Sequence, residues 1–131
     1  MKHLKPFNES INKDDMQEFC EMNLAYLMDE GLQVSTDQQY KYRELITSVE
    51  LSFPEETLWL QIKDHIMPFL HRISNGYTLD PIHKYLKDTN KLFEVQMPNG
   101  TNAFSKYNMS YDQLEQLPEY KIIQKIKFNL K

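Results

Sequence analysis

The fold predicted for this 131-residue chain is α+β: a mostly antiparallel sheet with two main amphipathic helices packed on one face. Three features predict it. Two long stretches repeat their apolar residues with the helical period, and several short ones alternate them with the period of a strand. The strand-like stretches also follow one another across turns more often than across helices, so hairpins outnumber βαβ crossovers.

The first helix rests on Met16, Phe19, Cys20, Leu24, Leu27 and Met28, which share one helical face. Asn12 is its expected N-cap, Asp14 and Asp15 suit the positive end of the helix dipole, and Gly31 suits a left-handed stop. A short alternating strand, 32–35, is expected next. The polar run TDQQYKYRE then reads as a hairpin loop with extended flanks. In the strand 45–53, Leu45, Val49, Leu51 and Phe53 point one way and Ser48, Glu50 and Ser52 the other.

Pro54-Glu55-Glu56 has the composition of a helical first turn, so a second helix is predicted from there. Its stripe is Trp59, Ile62, Ile66, Phe69, Leu70 and Ile73, it stops at Asn75-Gly76, and Pro68 predicts a kink or break. Asp80-Pro81 suggests a short helix carrying Ile82, Tyr85 and Leu86. A strand over 92–97, a turn at Pro98-Asn99-Gly100 and a weaker returning strand over 101–107 follow. Ser110 and Gln113 form a capping-box pattern for a helix carrying Leu114 and Leu117, closed by Pro118. The last strand is predicted over 120–130, with Ile122, Ile126, Phe128 and Leu130 on one face and the lysines on the other.

The expected core is Phe19, Leu24, Leu27, Val49, Leu51, Trp59, Ile62, Ile66, Phe69, Ile126 and Phe128. Residues 12–131 read as a single domain. Residues 1–11, with Pro6 and only Leu4 and Phe7 as large apolar groups before Ile11, read as a flexible N-terminal segment.

The formal net charge of −4 argues against binding to duplex nucleic acid, which requires clustered cations. The single cysteine, Cys20, allows no internal disulfide or multi-cysteine zinc site, and its flanks make it a buried hydrophobe. No apolar run is long enough to span a membrane. The four histidines, His3, His65, His71 and His83, lack metal-pair spacing. No glycine-rich phosphate loop or nucleophile elbow is present, and the pairs Asp14-Asp15 and Glu55-Glu56 are explained as helix starts. Neither catalytic nor cofactor-binding residues are assigned, and enzyme activity is not expected. Tyr40, Tyr42 and Arg43 form the candidate binding surface. With Lys41, Tyr107, Tyr111, Tyr120, Lys106 and Lys121 they also match the composition of surfaces that stack single-stranded bases.

The opening, Met1-Lys2 followed by Phe7-Asn8-Glu9, resembles that of small accessory proteins of large tailed bacteriophages. In some of these a similar leader is a capsid-targeting propeptide, cut after a glutamate two residues beyond an apolar one. The resemblance implies recognition at Phe7 and Glu9 and a cut before Ser10. The expected function is therefore a non-enzymatic phage-type accessory protein that binds a host or virion protein in the host cytoplasm. The alternatives are an internal head protein packaged in the virion interior through this leader, and a single-stranded nucleic-acid-binding module.

Overall fold

The structure, a computed structural model, describes residues 13–41, 43–75, 93–99 and 103–130. Among these, helices α1 (Lys13–Asn23) and α2 (Ala25–Asp29) precede a hairpin of β1 (Gln33–Lys41) and β2 (Glu44–Ser52). Helix α3 (Trp59–Asn75) follows, then a second hairpin of β3 (Phe93–Asn99) and β4 (Ala103–Met109). The short α4 (Tyr111–Glu115) and the strand β5 (Lys125–Leu130) complete the order. All strand pairs are antiparallel, and the sheet order is β1-β2-β5-β3-β4. The last strand thus occupies the middle, joining the two hairpins. The predicted α+β class holds.

The single core lies between one face of the sheet and the helices. Val49 and Leu51 on β2, Ile126, Phe128 and Leu130 on β5, and Phe93, Val95 and Met97 on β3 are buried there. They meet Met16, Phe19 and Cys20 of α1 and Trp59, Ile62, Ile66, Phe69, Leu70 and Ile73 of α3. Every residue of the expected core is buried. Aromatic contacts tie the layers: Phe69 stacks on Phe19 with ring centroids 5.8 Å apart, and tilts against Phe128 at 6.3 Å.

The first predicted helix is bent into two. At Leu24 the backbone leaves the helical region, while Asn23 turns its amide back to the Phe19 carbonyl at 2.8 Å. Gly31 ends α2 as predicted, with φ of 111°. Its amide bonds the Met28 carbonyl at 3.1 Å and the Leu32 amide bonds the Leu27 carbonyl at 2.9 Å, which together form a Schellman stop. Asn12, its expected cap, lies outside the described residues, as does the helix expected after Asp80.

Three boundaries differ from expectation, and the break expected at Pro68 does not occur. The polar run after Val34 is strand: β1 continues through Thr36–Lys41, fully paired to β2, and Lys41 faces Glu44 across the turn holding Arg43. This is an edge strand whose outer backbone is braced by a side chain. Gln17 donates to the Val34 carbonyl at 3.2 Å and accepts from the Thr36 hydroxyl at 2.8 Å. Helix α3 begins at Trp59 instead of at Pro54, because Thr57 directs both its amide and its hydroxyl to the Pro54 carbonyl and gives its own carbonyl to Ile123. The first amides of α3 then bond the Lys121 and Glu119 carbonyls, and the Leu58 amide bonds the Gln61 side chain. Pro68 sits exposed inside α3, which continues past it as one element. The last strand starts at Lys125 rather than Tyr120. Ile122 makes only a single bridge to Leu58, and Ile123 takes the buried position. The capping box of Ser110 and Gln113 is formed in full, with the two bonds at 3.0 and 3.2 Å.

Candidate binding surfaces

Two solvent-facing features come from this architecture. The first is the face of the sheet opposite the helices. The period-two pattern of β2 and β5 that buries apolar residues on one side puts polar ones on the other. One row across the sheet reads Ser35, Glu50, Lys127, Glu94 and Asn108 through the pairings of all five strands. Lys125 lies 3.4 Å from Glu50, Lys106 lies 3.6 Å from Glu94, and Ser48 donates to Asn129 at 2.7 Å. A shallow hollow of about 310 Å³ lies over β1, β2 and β5, between Asp37, Ser48 and Lys127. Its charges compensate one another within the face. This is the wet face predicted from Ser48, Glu50 and Ser52.

The second is a groove of about 670 Å³ where the end of α2 meets the loop between β2 and α3. Leu27, Leu32, Phe53 and Ile62 form its floor; Glu30, Glu55 and Glu56 stand on its rim. The walls approach closely because Gly31 has no side chain: a Cβ there would come within 2.8 Å of the Pro54 ring. The Tyr26 ring, 60 % exposed, stands at the mouth and stacks on His65 of α3 with centroids 4.9 Å apart. Glu56 has φ of 61°, a left-handed conformation unusual for a side chain without a local hydrogen-bonding role.

Of the sequence-predicted binding residues, Tyr40 and Arg43 are brought together at the tip of the β1–β2 hairpin. Tyr40 is 77 % exposed, and Arg43 turns the chain with φ of 67°. Tyr42 lies outside the described residues, as do Phe7, Glu9 and Ser10. The wider aromatic and basic set does not converge. Tyr107 is on β4, the opposite edge from β1, roughly 19 Å away at about 4.8 Å per strand. Tyr120, with the Lys121 ammonium 5.7 Å from its ring, precedes β5 at the far end of the sheet from the hairpin tip. A stacking platform needs aromatics on one surface, and these occupy three.

His65 and His71 point to different sides of α3, the first to Tyr26 and the second to Tyr111. Among the described residues no three His, Cys, Asp or Glu side chains converge as a metal site, and the rim carboxylates are no exception. Cys20 is fully buried, and desolvation, with a smaller contribution from Glu21, pushes its thiol up to about 12. A thiol held neutral in this way is a poor nucleophile. Because the folded value exceeds the ordinary 9.0, its contribution to stability is complete below pH 9 and is lost as the pH rises from there towards 12. Wild-type stability is expected to fall more steeply than that of Cys20→Ala over this window, measured by urea unfolding at each pH. Equal slopes would show that the thiol ionises freely in the folded chain.

No helix among the described residues is long and apolar enough to cross a membrane. Comparison with known proteins finds no matching family model, and no significant similarity to a curated protein or a solved structure.

The groove was not foreseen from the sequence. Glu55 and Glu56 were accounted for by a helix start and Gly31 by a helix stop. The shared burial of Leu27, Leu32, Phe53 and Ile62 and the close approach of Gly31 to Pro54 bring 26–32 and 53–62 together. The sole local signal was the run Asp29-Glu30 at the end of a helix, where the dipole favours cations instead.

Proposed function

We propose that this chain is a non-enzymatic binding module that docks a protein partner through the groove between α2 and the β2–α3 loop. The observation that carries this reading is the groove itself, where exposed Tyr26 and Pro54 stand over the buried side chains of Leu27, Leu32, Phe53 and Ile62. A concave site with an exposed aromatic ring and a polar rim is a form that buries a partner's side chain and orients it. From the resemblance of the opening residues we propose further that the partner is a host or virion protein and the chain a phage-type accessory protein. Packaging in the head would use the same module in another setting.

The test is photo-crosslinking in the cells where the protein acts, with a photoreactive residue at Tyr26 and, as control, at Ser48 on the sheet face. A discrete protein adduct is expected at Tyr26, absent at Ser48 and lost when Glu55→Lys is added on the exposed rim of the groove. The same pattern from both positions, or an adduct indifferent to Glu55→Lys, contradicts the reading.

A further inference from the structure

We draw no further inference here: the strongest candidate, the buried indole N–H of Trp59 at the start of α3, meets no acceptor among the described residues but lines neither the groove nor the sheet-face hollow, so nothing in the structure shows what would bind it.

Discussion

Phe69→Ala is expected to lower the unfolding free energy by about 3–5 kcal/mol, the usual cost of deleting a buried aromatic ring. Phe69 is 1 % exposed and is the point where α1, α3 and the sheet meet, stacking on Phe19 of α1 and tilting against Phe128 of β5. Removing the ring forfeits its own burial and leaves a cavity that α1, α3 and the sheet must either collapse into or leave empty. Phe69→Leu keeps most of the volume and should cost less than half as much. A double-mutant cycle with Phe19→Ala should return a coupling of about 0.5–1.5 kcal/mol, the range for a stacked pair. Urea unfolding of the four chains measures all of this. A change below about 1 kcal/mol for Phe69→Ala would mean that α3 does not bury this face.

The second large effect is expected at the middle strand. Ile126 is fully buried on β5 and stands between Leu51 on β2 and Val95 on β3, so it lies at the seam of the two hairpins. Ile126→Asp puts a carboxylate there with no cation on the same face of the neighbouring strands. The cost should exceed about 4 kcal/mol, enough to unfold a domain of ordinary stability. Its neighbour Lys127 points to the open face, and Lys127→Gln should change stability by less than about 1 kcal/mol. Far-UV circular dichroism and amide proton dispersion would separate the two. A folded Ile126→Asp chain would contradict the central placement of β5, and with it the strand order.

What could be read from the sequence was set by how local the cause was. The helix stripes, the Gly31 stop and the Ser110–Gln113 box depend on residues a few positions apart, and each is present. The length of β1 was hidden because Thr36–Lys41 lies at an edge, where pairing and the Gln17 brace need little apolar content. The start of α3 was misplaced because Pro54-Glu55-Glu56 fits a first turn by composition, while the bond from Ile123 to the Thr57 carbonyl is a tertiary one. The position of β5 between the hairpins follows from no pattern within any single element. The hairpin-tip surface at Tyr40 and Arg43 was legible as exposed aromatic and cationic residues beside a turn. The groove was not, since its two walls lie more than twenty residues apart in sequence and meet through a glycine and a proline ring.

Under the proposed function a partner docks in the groove and leaves the polar sheet face to solvent. The most direct measurement is amide chemical-shift mapping of the isotope-labelled chain, recorded with the protein recovered as the Tyr26 adduct and then purified in unlinked form. Docking in the groove should concentrate the shifts in 26–32 and 53–62 and leave Asp37, Ser48 and Asn129 unmoved. Shifts centred on those three residues, or on the hairpin tip at Tyr40 and Arg43, would contradict it.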